Sequence, residues 1–83
     1  LLEPRHPSLA ETYKNMASTK YSLKKYSDAL ICYQKVLEIQ QRSLAPNDSS
    51  LAETHNYIAT VLEDLGQYEE AIRHALISVD IAN

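Results

Sequence analysis

The chain repeats itself. A shift of 42 residues lays Ser8-Leu9-Ala10-Glu11-Thr12 over Ser50-Leu51-Ala52-Glu53-Thr54. The same shift pairs Ala17 with Ala59, Leu23 with Leu65, Tyr26 with Tyr68, Ala29 with Ala71 and Ile39 with Ile81. Of the 34 positions from 8 to 41, 10 are identical to their counterparts. Pairs such as Met16 with Ile58, Leu30 with Ile72 and Leu37 with Val79 keep an apolar side chain. An 83-residue chain with this period is built from two copies of one supersecondary unit, each too small to bury its apolar faces alone.

Each unit reads as two helices. In the first, Leu9, Tyr13, Met16, Ala17 and Lys20 fall at i, i+4, i+7, i+8 and i+11, an apolar stripe closed by a long aliphatic stem. The matching stripe of the second unit is Leu51, His55, Ile58, Ala59 and Leu62. The partner helices present Tyr26, Ala29, Leu30, Tyr33, Val36 and Leu37, then Tyr68, Ala71, Ile72, Ala75, Leu76 and Val79. The spacing predicts helices over about 8–22, 26–44, 50–64 and 68–82. Both first helices open with Ser-Leu-Ala-Glu, which fits a capping box in which the Ser hydroxyl takes an orphan N–H and the Glu reaches back. Pro7 suits a first turn, where its missing N–H costs nothing. Gly66 stands where a left-handed residue ends a helix most cheaply, and Lys24 occupies the matching place in the first unit, at some strain.

Composition narrows the chemistry. Gly66 is the only glycine, so a Gly-rich phosphate loop is excluded, and turn residues are too sparse for an all-β sandwich. Cys32 is a lone thiol, which rules out an intramolecular disulfide or a cysteine zinc cluster. No uncharged run approaches the roughly 18 apolar residues that span a bilayer, so no membrane insertion is expected. The chain opens on Leu1 with no basic-apolar leader, and the expectation is an all-helical, cytoplasmic piece of something longer. Net charge is −3, divided unevenly. Residues 1–42 carry seven Lys/Arg against four Asp/Glu, giving +3, while residues 43–83 carry one Arg against seven acids, giving −6. That balance argues against nucleic acid as a partner, since a nucleic-acid binder concentrates basic charge on one face. Two readings of the asymmetry stand open: solvated faces that differ, or halves that attract each other or a neighbour end to end.

The aligned residues resemble the tetratricopeptide repeat. Its signature shows as Met16-Ala17, Leu23, Tyr26, Ala29 and Tyr33, then as Ile58-Ala59, Leu65-Gly66, Tyr68, Ala71 and Ala75. The ordinary motif spans 34 residues. Here the extra length lies in Ile39–Ser49, with a Leu44-Ala45-Pro46-Asn47-Asp48 turn, similar to the long-helix variety of kinesin light chains. The resemblance implies an all-α fold, an α-solenoid of two antiparallel helix–turn–helix repeats with four helices. It divides the chain into a remnant turn of a preceding repeat at 1–6, repeat 1 at 7–48 and a truncated repeat 2 at 49–83.

The resemblance also implies a non-catalytic scaffold that binds a protein or peptide partner, because first helices of stacked repeats line a concave groove. Groove positions left free by the packing stripe are Glu11, Lys14, Asn15, Ser18 and Ser22, then Glu53, Asn56, Tyr57, Thr60 and Asp64. Of these Lys14, Asn15, Ser18, Asn56, Tyr57 and Thr60 are the candidate peptide-binding residues. In family members an Asn just before the Leu-Ala pair often holds a peptide backbone; Asn15 matches that slot, Asn56 lies one position earlier and Tyr57 takes the slot itself. Chaperone-type members grip an acidic C-terminus with Lys and Arg, whereas Glu11, Glu53 and Tyr57 stand at those positions here. An extended segment held by backbone contacts, with Tyr57 as an apolar platform, fits better. The same residues also read as a plain solvated helix face. An alternative function is self-assembly, in which uncapped repeat ends stack or swap into homo-oligomers.

Other chemistry finds little support. His55 sits on the packing stripe and reads as a core histidine; His74 lies on a second helix and His6 in a turn. No two histidines share i, i+3 or i, i+4 spacing, so neither a metal nor any other cofactor is expected. The charges near Asp64 and near Lys24 read as exposed turn charges, and no nucleophile–base–orienter set stands out, so the chain is not expected to be an enzyme. Asn47-Asp48-Ser49 has the form of a glycosylation sequon but reads as a turn and cap cluster.

Overall fold

A computed structural model describes residues 7–82. Four helices follow one another: α1 (Pro7–Ser22), α2 (Tyr26–Ser43), α3 (Ser49–Asp64) and α4 (Tyr68–Ala82). The remnant turn expected at 1–6 and the Ser8 hydroxyl cap lie outside the described residues and side chains. α1 packs on α2 and α3 on α4 as two hairpins, and α2 packs on α3 to join them. The result is a slab measuring 36 × 32 × 14 Å between Cα extremes.

Local chemistry starts and stops each helix. α3 is capped by Asp48, whose carboxylate accepts from the Ser50 N–H at 2.9 Å. This corrects the capping-box reading for α3: the cap lies before Ser50, the helix begins at Ser49, and Glu53 instead reaches Lys14 of α1. α2 stops at Ser43, because Leu44 is extended at φ −119° and ψ 158°. The two hairpin turns share one geometry. Lys24 N–H bonds Tyr21 C=O and Lys25 N–H bonds Lys20 C=O, both at 2.9 Å. Gly66 N–H bonds Glu63 C=O at 3.0 Å and Gln67 N–H bonds Leu62 C=O at 2.9 Å. This paired closure is the Schellman motif, and it requires a left-handed residue. Lys24 adopts φ 63° and Gly66 φ 78°.

The core straddles both repeats. Ala17, Ala29, Cys32, Tyr33, Ile58, Val61, Leu62 and Ala71 form one buried cluster, with Tyr21, Tyr26, Leu30, Leu37 and Leu65 packed against it. Ala10, Val36 and Ile39 form a second, flanked by Leu9 and Tyr13. Ala17, Ala29, Ala59 and Ala71 of the repeat signature bring α1 against α2 and α3 against α4 with almost no exposed surface. Equivalent positions nonetheless fare differently. Met16 is 45% exposed where its counterpart Ile58 is fully buried, and Tyr68, Ile72, Leu76 and Val79 are 54–65% exposed on α4. The expected apolar stripes are therefore only half used on the outer helices. α3 packs closely on both α2 and α4, whereas α1 and α4 each pack closely on one helix, and α1 reaches α3 through side chains.

His55 and His74 meet across the α3–α4 hairpin, Nδ1 to Nδ1 at 2.8 Å, with rings 5.1 Å apart. His55 is buried, in keeping with its reading as a core histidine, and the partner is the new fact. One Nδ1 donates and the other accepts, so the contact needs at least one neutral ring and is lost when both are protonated. Burial lowers the His55 pKa, and proximity to His74 lowers it further. Burial also lowers that of His74; Glu70 opposes the shift and Arg73 adds to it. Nearby, the Ser78 hydroxyl donates to the Ala52 carbonyl at 2.9 Å. Among the described residues, no buried side-chain nitrogen or oxygen lacks a partner.

Two predictions follow from this packing. Lys24→Gly relieves a left-handed side chain and should raise stability by up to about 1 kcal/mol, while Gly66→Lys should cost about as much, both read by denaturant unfolding. The space around Gly66 is open, so the second cost is conformational and not steric. For the histidine pair, both folded pKa values lie below the ordinary 6.5. The unfolded chain therefore takes up protons first, and stability is complete above pH 6.5 and falls as pH drops below it. His74→Gln should flatten the fall between about pH 7 and 5. An unchanged slope would contradict the role assigned to the pair.

Candidate functional site

The exposed faces of α1 and α3 lie side by side and are tied at three places. Near the start of the helices, Lys14 Nζ approaches Glu53 Oε1 at 3.8 Å, both side chains partly exposed. Such a surface pair is worth under about 1 kcal/mol, and here it mainly sets which way Lys14 lies. The same ammonium stands 5.8 Å from the centroid of the Tyr57 ring, within cation–π range. Tyr57 in turn stacks on Tyr33 of α2, with centroids 5.3 Å apart and planes 14° from parallel. Tyr33 is buried, and that burial, together with the neighbouring Tyr57, raises its hydroxyl pKa. At the far end, the Tyr21 hydroxyl donates to Asp64 Oδ2 at 2.5 Å. Accepting carboxylate and lost hydration push the Tyr21 hydroxyl up to about 12.

The candidate residues divide between these ties and open surface. Lys14 and Tyr57 come together and join α1, α2 and α3, with Tyr57 still 38% exposed. Tyr57 is thus less a bare apolar platform than an aromatic ring backed by Tyr33 and accompanied by a cation. Ser18, Asn56 and Thr60 are exposed. The Thr60 hydroxyl is spent on the Asn56 carbonyl at 3.1 Å within its own helix. Asn15 is exposed too, but it lines a shallow depression with Thr12, Met16, Thr19 and Lys20. The 42-residue shift explains why: Asn15 corresponds to Tyr57, and Asn56 to Lys14, so the two asparagines occupy different registers. Glu11 and Ser22 are exposed, while Glu53 and Asp64 are engaged by Lys14 and Tyr21.

Three partnerships escaped the sequence reading: Lys14 with Glu53 and Tyr57, Tyr21 with Asp64, and His55 with His74. The last was within reach of hairpin geometry. His55 lies ten residues before Leu65 and His74 nine after it, so an antiparallel pair sets them opposite. The other ties depend on how repeat 2 rotates against repeat 1, which no local spacing encodes. The resulting surface offers an amide that donates and accepts together, an aromatic face and balanced charge. Among the described residues there is no cluster of three or more His, Cys, Asp or Glu that could hold a metal ion. Nor is any helix among them long and apolar enough to cross a membrane.

No curated protein matches the chain. The family model of the tetratricopeptide repeat matches residues 8–83, from the start of the first helix stripe to the last residue. That match covers both hairpins and the junction between them. Repeats of this family mediate protein–protein interaction and are generally non-catalytic. The chain belongs to the tetratricopeptide repeat family.

Proposed function

We propose that the chain is a non-catalytic scaffold that holds an extended segment of a partner protein along the α1–α3 face. The observation that carries this is the Lys14–Tyr57–Tyr33 stack, which fixes an exposed aromatic ring between two first helices. A ring already ordered by stacking loses little rotamer freedom when a ligand side chain packs on it. Asn56 and Ser18 offer hydrogen bonds to main-chain groups without selecting a charge, and Asn15 extends that surface along α1. Lys14 is committed to Glu53 and Tyr57, which makes an acidic C-terminus a poor ligand and a neutral segment with an apolar or aromatic residue a good one. The 42-residue spacing and the Leu44–Asp48 turn support the kinesin-light-chain-like variety of the repeat, and with it a cytoplasmic setting.

Self-association is a second reading. It is supported by the apolar side chains that α4 leaves exposed, Tyr68, Ile72, Leu76 and Val79. The two readings use different faces and can hold together.

The groove reading is tested by selecting binders from a library of random unstructured peptides and measuring their affinity for variants. Tyr57→Ala should weaken them about tenfold or more, and Asn56→Ala severalfold, with helicity unchanged. Gln41→Ala, on an exposed part of α2, should leave affinity as it is. Equal affinity for all three variants would overturn the assignment.

A further inference from the structure

The outer faces of α1 and α4 are the two halves of a junction that the chain already contains once. Its first half is a ridge on α2: Tyr26, Leu30, Tyr33 and Leu37, directed to α3 by the Tyr33–Tyr57 stack. Its second half is a ridge on α3: Ile58, Val61 and Leu65, directed to α2 by that stack and by the Thr54 hydroxyl donating to Gln40. Advance the first ridge by 42 residues and it becomes Tyr68, Ile72, Ala75 and Val79 of α4, three of them more than half exposed. Move the second back by 42 and it becomes Met16, Thr19 and Leu23 of α1, with Met16 45% and Leu23 61% exposed. What α2 offers to α3, α4 therefore offers again, and α1 carries the answering side chains.

We propose that a second copy of this chain docks head to tail, its α1 on α4 of the first, in the register that α3 holds on α2. The proposal rests on the self-association reading and names its surfaces. Charge favours this partner. Within the chain, the Lys24-Lys25 turn lies beside Leu65 at the end of α3. The same register sets Leu23 of the second copy beside the turn at Gly66, with its Lys20 and Lys24 facing Glu69 and Glu70 at the start of α4. A parallel pairing of two α4 faces would bring those carboxylates onto each other. The copy junction is also weaker than the internal one, because the Tyr33–Tyr57 stack is replaced by Ala75 and Asn15. Association is thus reversible and concentration-dependent. Being heterologous, it adds copies without closing a ring.

The test is sedimentation of the 83-residue chain over a wide concentration range at low salt. The expected result is a weight-average mass that rises past the dimer without a plateau. Met16→Glu and Ile72→Glu should each weaken association at least about tenfold, with circular dichroism confirming intact helices. Mixed in equal amounts, the two variants should form a heterodimer and nothing larger, since one retains its α4 face and the other its α1 face. Leu23→Gln and Val79→Gln, both on the proposed ridges and more than half exposed, serve as a second pair if helicity is lost. If Met16→Glu still self-associates and the mixture shows no complementation, the α1–α4 register is overturned while self-association stands. A wild-type chain that stays monomeric throughout overturns both.

Discussion

The packing of α3 against α2 is the interaction on which the rest of the structure depends. A lone helix hairpin shields one side of each helix and leaves the other wet, so two hairpins gain a core by sharing one. Here the shared core is made by Tyr33 stacked on Tyr57, Thr54 bonded to Gln40, and Ile58 and Val61 buried completely or nearly so. Its consequence is visible in α3 itself, which buries residues on two sides, from Leu51 to Leu62. The long period contributes as well. It extends α2 to Ser43, and the Leu44–Asp48 turn then brings Asp48 to cap α3 where it returns against α2.

The junction and the candidate site are two sides of one arrangement. Tyr57 presents one part of its ring to Tyr33 and leaves the rest in solvent, so the contact that joins the repeats also orders the surface proposed to meet a partner. Lys14 acts likewise, reaching from α1 to both Glu53 and Tyr57 of α3. A change in how the repeats cross would move these groups relative to Ser18 and Asn56. Groove shape and array geometry are accordingly coupled, and a ligand spanning α1 and α3 would stabilise the junction beneath it.

Much of the fold was legible in the sequence, because helix content and turns are local. The spacing of Leu9, Tyr13 and Ala17, the glycine at 66 and its lysine substitute at 24 all act within a few residues. The left-handed geometry at both turns follows directly from them. Burial was legible only in part. Met16 and Ile58 occupy the same place in the motif, yet one is wet and the other dry, since burial depends on which helix comes next to it. The same holds for Leu30, packed on the core, and its exposed counterpart Ile72. At the candidate site, residue types named positions on α1 and α3, but Asn15 and Asn56 stand at different registers. The ties Lys14–Glu53 and Tyr21–Asp64 depend on a rotation between repeats that no pattern within a repeat specifies.

If the α2–α3 junction carries the stability, the two equivalent positions of the motif must weigh differently. The direct measurement is denaturant unfolding of Ile58→Ala and Met16→Ala at a dilution where the chain is monomeric. Truncating the fully buried Ile58 should cost about 2–5 kcal/mol. Truncating Met16, nearly half exposed, should cost under about 1 kcal/mol. Similar losses at both positions would mean that each hairpin is stable in its own right, and would contradict the account.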